Sequence, residues 1–588
     1  QPKDEVHFTG KTIATPARHD GGLKPVVGVH NIQVMRGSKP WTYNHQPFLA
    51  YWKGKFYLHY LTNPRSEHQA PGRTLLTTST DGYSWSEPVV LFPEYNVPDG
   101  VTKPNLPGVV TKNLQAVMHQ RVGFYVSKCN NRLLATGNYG IVLAPKDDPN
   151  DGNGIGRVVR EIKDNGKFGD IYFVYYNHGF NESNTDYPFY KKSKDKAFVK
   201  AVDEMIADPM QRMQWVEEAD RNDSILPLAS PYKAFCGYTL PDGRKVALWK
   251  HAVTSISNDG GNTWKYPCER AYGFVNSNAK IWGQRLSDST YATIYNPAEY
   301  RWPLAISLSK DGLEYTTLNL VHGDVTPERH GGAYKNYGPQ YTRGIQEGNG
   351  TPPDGDLWVT YSHNKEDMWV SRIPVPVKLD ATQHAFGCFC NYSKLEEMTD
   401  WNIYSPLWAP VSLNGDWLRL ADRDPYDYAK VEKVLPLTKE LQVEFDVRSE
   451  QNDHGVLHVE FLDDKGNVAS RIIVDSTANF LAKGGARSAT LLRQYKPNTT
   501  YHVKAILSTK LHRAYYYING KFCTKRQFDT PVESLCRVQF RTGSLFDKPD
   551  IETPADQFFD MPRADDVDSL AVFEIADFKT KSLDGSRF

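Results

Sequence analysis

The chain has 588 residues, and its 69 Lys plus Arg cancel its 69 Asp plus Glu, so the formal net charge is zero. That balance argues against nucleic acid or an anionic membrane surface as the main partner, since both reward a basic excess. No apolar run reaches the roughly 18 residues that a membrane span needs, and 34 Tyr, 26 Phe and 13 Trp are too many for a solvated coil.

The chain starts at Gln1 without a charged-then-apolar leader, which predicts a mature exported form, periplasmic or at the cell surface. From there to about residue 378 short aromatic-rich strands alternate with Gly, Asn or Asp turns. Examples are Pro47 to Tyr60, Gly123 to Asn138 and Cys236 to Lys250, each carrying the pattern of a β-hairpin. A Ser-x-Asp-Gly turn recurs at Ser79-Thr80-Asp81-Gly82-Tyr83-Ser84-Trp85, at Ser257-Asn258-Asp259-Gly260 followed by Trp264, and partially at Ser309-Lys310-Asp311-Gly312. These turns resemble the Asp-boxes of sialidase-type propellers, where the Asp caps a turn between outer strands and carries no chemistry. Residues 1–378 are therefore expected to form a β-propeller of six or seven four-stranded blades, seven being preferred.

Two stretches interrupt the rhythm. Lys194 to Arg221 has near-helical apolar spacing around Phe198, Val202 and Met205, which predicts a helical insertion kinked or divided by Pro209. The stretch Asp147 to Gly156 (DDPNDGNGIG) reads as a loop without the ordered acid spacing of a calcium site. The seven cysteines are spread too thinly for a disulfide framework or a zinc site. They are expected to be mainly buried apolar side chains, with one bridge at most.

After Val375-Pro376 the composition shifts to alternating strands such as Leu441 to Val447, Val456 to Leu462, Tyr501 to Leu507 and Arg513 to Ile518. Residues 379–588 are expected to form a β-sandwich, resembling the concanavalin- or laminin-G-like modules appended to carbohydrate-active enzymes. Bracing the propeller is the expected role ahead of sugar binding. The whole chain is thus all-β and, by expectation, a monomer.

In a propeller, ligands bind where the innermost strands converge, so polar residues at the starts of those strands carry the functional reading. Candidates are Tyr43, Asn44 and His45; His119 and Arg121, with Tyr139 twenty residues after His119; Lys250; Arg285 and Arg301, with Trp302; Arg343; and Glu366. The set is rich in cations, phenols and imidazoles and poor in the paired carboxyls that ordinary glycosidases use. Such a set suits β-elimination on a uronic acid. Arginine or lysine neutralises the carboxylate and makes the C5 proton removable, one His or Tyr takes that proton, and another protonates the departing O4 oxygen.

The phrases His119-Gln120-Arg121-Val122-Gly123-Phe124-Tyr125 and Tyr361-Ser362-His363-Asn364-Lys365-Glu366-Asp367, with the Asp-boxes and the appended sandwich, resemble propeller lyases of gut Bacteroides-type polysaccharide-degrading systems. The nearest likeness is to the L-rhamnose-α-1,4-D-glucuronate lyases of polysaccharide lyase family 27. That resemblance implies an exo-acting lyase that removes rhamnose capping glucuronate on an acidic plant polysaccharide such as an arabinogalactan. Related lyases use two histidines about twenty residues apart. His119 fits the first position, Tyr139 occupies the second, and His45 is the alternative partner. Arg121, Arg285, Arg301, Arg343 and Lys250 compete to clamp the carboxylate, while Tyr43 and Trp302 are candidates to stack on the sugar. The elimination requires no cofactor; a structural calcium or other divalent ion is left open. The competing readings are a hydrolase on the same fold, a rhamnosidase or sialidase-like enzyme with Glu366 activating water, and a non-catalytic glycan-binding propeller.

Overall fold

The computed structural model describes residues 4–119, 122–214, 233–265, 268–483 and 486–586. Among the described residues five antiparallel meanders surround one axis. Blade I is Tyr43–Trp52, Lys55–Asn63, Arg73–Ser79 and Val89–Phe92. Blade II runs from Gly123–Val126 through Leu133–Gly140 and Gly156–Ile162 to Tyr172–Tyr176. Blade III is Cys236–Thr239, Lys245–Trp249, Val253–Ser257 and Glu269–Arg270, and blade IV starts with Trp282–Arg285, Tyr291–Tyr295 and Leu304–Ser309. These four are separate sheets. The fifth, Pro339–Gly344, Leu357–His363 and Asp367–Ile373, takes its outer strand His30–Met35 from the start of the chain.

The expectation of seven blades is therefore corrected. Long stretches that look able to hold further hairpins are connections: residues 93–116 before and 177–195 after the second blade hold little regular strand. The helical expectation fares better. Helix α1, Lys196–Ala207, is capped by Asp195, and α2 begins at Pro209 and runs to Gln214. Proline starts the second helix, where its missing N–H has no partner to lose. Residues 215–221 of the expected insertion lie outside the described residues. Phe198, Ala201, Val202 and Met205 pack on Tyr125, Leu134, Val159 and Val174 of blade II. Glu204 accepts the backbone N–H groups of Lys128 and Cys129, at the turn between that blade's first two strands.

All three Asp-boxes form. Asp81 Oδ1 accepts from Tyr83 N at 2.8 Å and Ser84 N at 3.0 Å. Asp259 holds Thr263 N and Ser257 Oγ, and Asp311 holds Leu313 N and Glu314 N. Each closes the turn from the third to the fourth strand of its blade. The Asp147–Gly156 loop is organised by an ammonium: Lys103 Nζ lies 2.9 Å from Asp147 Oδ2, Asp151 Oδ2, Ile141 O and Asp148 O. A lysine charge fills the place a cation would take.

The C-terminal unit is a two-sheet sandwich. Along Glu440–Ser449 burial alternates with the two-residue period of a strand that buries one face. The facing sheets bury Phe445, Phe540, Phe573 and Phe578 between them. The last blade strand ends at Ile373 and the first sandwich strand begins at Asn402. The connector carries a Cys388–Cys390 disulfide. His30–Met35 also pairs in parallel with Asn402–Ser405, so blade V and one sandwich sheet are continuous. At this junction Gly28 has φ +85°, and a Cβ there would lie 1.9 Å from Thr399 O, so only glycine fits.

His30 is fully buried at the same seam. Its Nδ1 lies 2.5 Å from Tyr83 Oη, and its Nε2 lies 2.8 Å from Met398 O and 3.1 Å from Trp401 O. Burial lowers its pKa from 6.5 to about 4. The unfolded chain then binds a proton at this residue that the folded chain refuses, so stability present above pH 6.5 is lost as pH falls through about 4. The contribution is on the order of 3 kcal/mol. His30→Gln is expected to flatten that part of the pH–stability profile in denaturant titrations. Asp81→Ala is expected to cost about 1 kcal/mol in denaturant titrations by freeing the half-exposed Tyr83 and Ser84 turn donors.

Candidate functional site

An innermost strand starts at one face of the propeller, and the turn from a blade's second to its third strand returns to that face. Both kinds of segment therefore line a single mouth, and the Asp-box turns lie at the opposite end. The mouth receives Tyr43 and His45 at the start of blade I and the Glu67–His68 turn of the same blade. It also receives His119 from blade II, Lys250 from the blade III turn, Lys280 and Arg301 from blade IV, and Tyr341 and Lys365 from blade V.

Two of these side chains are aimed by bulges. The register slips between His45 and Phe48 in blade I and between Gln340 and Arg343 in blade V, and Gln46 and Tyr341 have φ near +60°. A bulge re-aims the residues beside it, and a tyrosine in the left-handed region is strained in the way functional residues often are. His45 and Tyr341 consequently meet, with ring centroids 4.3 Å apart.

Tyr341 is ringed by positive charge. Lys250 Nζ donates to its hydroxyl at 2.6 Å, and Lys250, Lys280 and Arg301 approach the ring to 4.8, 5.1 and 5.1 Å. Arg301 is fixed by Gln340 Oε1 at 2.6 Å and Asn278 O at 2.8 Å. Three cations around one phenol favour negative charge there, on the phenol oxygen or on a bound carboxylate.

Beside this group Lys365 Nζ lies 2.7 Å from Glu67 Oε2, and the Nε2 atoms of His119 and His68 lie 3.3 and 3.4 Å from Glu67 Oε1. Burial would raise the Glu67 pKa. The Lys365 charge and the two histidines outweigh that and hold it well below the ordinary carboxylate value, so Glu67 is ionised. His45 is pushed the other way, by burial first and then by Lys365, and is a neutral imidazole. Its Nδ1 bonds Ser362 Oγ at 2.6 Å, while Nε2 has no partner. Burial raises Tyr43 well above 10, keeping that phenol protonated.

Among the described residues two groups crowd enough donors for a metal, Glu67–His68–His119 and Cys388–Cys390–Asp416. The first does not suit a divalent ion, because the Lys365 ammonium already neutralises Glu67 and further cations stand behind it. In the second, both sulfurs are spent in the disulfide.

The sequence candidates divide accordingly. His45, His119, Tyr43, Lys250 and Arg301 come together at the mouth. Arg121 lies outside the described residues. Tyr139 is corrected: its hydroxyl donates to Pro93 O at 2.7 Å and its ring packs on Tyr95 within blade II. Arg285 is exposed at the far end of its strand. Arg343 is buried and donates to Ile281, Thr342 and Ala234 carbonyls, bracing blades III to V. Trp302 stacks on Tyr300 in a small core with Val325 and Tyr337. Asn44 holds the blade V turn through Glu366 O and Lys365 O.

Glu366 is also corrected, both as a ligand group and as a water activator. It is fully buried, its oxygens accept from Arg329 N and His330 N, and Lys335 Nζ lies 2.5 Å away. Sequence reasoning missed Glu67, His68 and Lys280 and gave Tyr341 and Lys365 no role. The usable signal was position in a second-to-third-strand turn for Glu67, His68 and Lys365, beside a bulge for Tyr341 and just ahead of an innermost strand for Lys280, which requires the blade register.

Comparison with known proteins places these features. Residues 4–232 match a family described as BT_1020-like, N-terminal beta propeller. Residues 242–373 match a BNR repeat-like domain, and residues 401–557 a sialidase-like CBM domain. A solved structure named "Sialidase" is 59% identical, with a TM-score of 0.97, over 99% of this chain and 54% of its own. The chain is a homologue of that protein. It spans about half of that protein's length. A Trypanosoma rangeli sialidase aligns over 94% of the chain at only 9% identity and a TM-score of 0.38, too remote to inform the site. No curated protein matches. Among the described residues no helix is long and apolar enough to cross a membrane.

Glu366→Gln is expected to strand the buried Lys335 ammonium, Arg329 keeping its pair with Asp367, and to cost about 3–5 kcal/mol in denaturant unfolding. Glu67→Gln, at the mouth, removes the partner of the buried Lys365 ammonium and is likewise expected to cost about 3 kcal/mol or more in denaturant unfolding.

Proposed function

We propose that the protein is a carbohydrate-processing enzyme acting on glycans that end in a carboxylated sugar. The observation that carries this reading is the convergence of Lys250, Lys280 and Arg301 on Tyr341, with Lys365 and ionised Glu67 alongside. A sugar carboxylate is the anion this array suits, and Arg301 offers it a planar, fixed charge.

The leading chemistry is sialidase-like hydrolysis, in keeping with the name of the 59%-identical structure. Tyr341 Oη attacks the anomeric carbon as the bond to the glycan oxygen breaks. The surrounding cations favour the oxygen nucleophile, and His68 or His119, oriented by Glu67, gives the leaving oxygen a proton. Water then adds its hydroxyl to the anomeric carbon and returns its proton to the histidine, releasing Tyr341 as the phenolate with which it attacked.

A second reading is favoured by His45, whose neutral imidazole has an unpartnered Nε2 beside the cations. In that reading the protein is the rhamnose–glucuronate lyase that the sequence resembles: His45 takes the C5 proton of a clamped uronate, His119 protonates the departing O4, and no cofactor is consumed. Export to the periplasm or cell surface, a monomeric state and an acidic plant polysaccharide as partner belong to this proposal.

The two chemistries part in one assay. The protein is incubated with gum arabic arabinogalactan and, separately, with sialylated mucin, and released sugar is followed together with ultraviolet absorbance. Released acidic sugar without absorbance is the expected result; rhamnose with matching absorbance from an unsaturated uronate selects the lyase. Tyr341→Phe is expected to lower turnover by about 1,000-fold or more if that oxygen is the nucleophile. Full activity of this variant overturns that role.

A further inference from the structure

Residues 543–570 of the sandwich form no regular strand, yet they are tied across the mouth side of the propeller. Gly332 N donates to Gln557 O at 2.7 Å, and Met561 N to Arg329 O at 2.8 Å. Asp560 binds Gly331 N at 3.0 Å, Lys39 Nζ at 2.8 Å and Arg65 Nη1 at 3.1 Å. The Gln557 side chain reaches Phe559 O and Glu328 O.

Within this strap Phe558 and Phe559 are 79% and 62% exposed. Their backbone is held while two large apolar rings stay in water, an arrangement that contributes nothing to folding. The rings stand next to the turn that carries the site. Arg65, which donates to Phe558 O, is two residues before Glu67, and Glu67 N donates to Ala333 O. Tyr334, itself 41% exposed, has its carbonyl on Lys365 Nζ at 2.7 Å and its ring 6.2 Å from His68.

We infer that Phe558 and Phe559, with Tyr334, form a sugar-stacking subsite for the glycan on the leaving-group side of the bond, so that the sandwich completes the site of the propeller. This rests on the reading of the mouth as a site for a carboxylated terminal sugar. A chain leaving that mouth beside Glu67 and His68 passes over the strap, and the apolar faces of sugar rings stack on aromatic side chains with little demand on sequence. The occupant is accordingly one or two neutral sugar units of the glycan.

The test is native gel electrophoresis of the full chain through gels containing gum arabic arabinogalactan, pectin or sialylated mucin. It compares the wild type with Phe558→Ala/Phe559→Ala, Arg301→Ala and Tyr341→Phe. Both rings face solvent, so the double variant is expected to melt at the wild-type temperature. The inference predicts that the double variant loses at least about fivefold of the apparent affinity, whereas Tyr341→Phe keeps it. Equal retardation of wild type and double variant overturns the inference, and loss in Arg301→Ala at the same time leaves the reading of the mouth standing. Absence of retardation of the wild type in all three gels overturns both. A double variant that melts early is replaced by Phe558→Leu/Phe559→Leu, which keeps the apolar volume, and the same loss of affinity is then required.

Discussion

The strand His30–Met35 carries two edges at once. On one side it pairs antiparallel with Asp367–Ile373 and closes the propeller; on the other it pairs parallel with Asn402–Ser405 and begins a sandwich sheet. An open blade edge would expose a row of unpaired backbone groups. Closing it with a strand from the chain start joins the first and last parts of the propeller and fixes the sandwich against them. The buried His30 and the steric demand at Gly28 sit at this seam. Placement of the strap beside the mouth follows from it.

Around the mouth the balance of charge decides what the residues can do. Glu366 and Asp367 are adjacent in sequence to Lys365, yet they are consumed by Arg329 and Lys335. Lys365 is left to pair with Glu67, and the remaining cations face Tyr341. Buried carboxylates that are fully satisfied brace the turn, and they do so at the expense of any chemistry of their own. The excess of positive over negative charge near one phenol is what separates this centre from a paired-carboxylate glycosidase site.

The fold class was legible because its signals are local. Two-residue alternation, Asp-Gly turns and a Trp after the turn can be read without knowing what lies across the axis, and the Asp-boxes formed as expected. The helical insertion was legible for the same reason, since Phe198, Ala201, Val202 and Met205 repeat at helical spacing. Blade number was not, because connections rich in Pro, Asn and Gly read as further turns between strands that do not exist. At the site, His45, His119, Tyr43, Lys250 and Arg301 could be picked out as polar residues near strand starts. The same rule also selected Tyr139, Arg285, Arg343, Trp302 and Glu366, which differ from them only in partner and direction.

By itself the sequence determined an all-β chain of two units, with capped turns and a supply of cations, phenols and imidazoles near inner strands. Periodicity and turn chemistry act within a few residues, so they survive reading in one dimension. Tertiary structure alone decided that the described residues of the ring form five blades, that Glu67 and Lys365 meet across nearly 300 positions, and that bulges turn His45 and Tyr341 onto each other. Those outcomes depend on strand register around a closed ring, where a shift of one residue reverses the direction of every side chain.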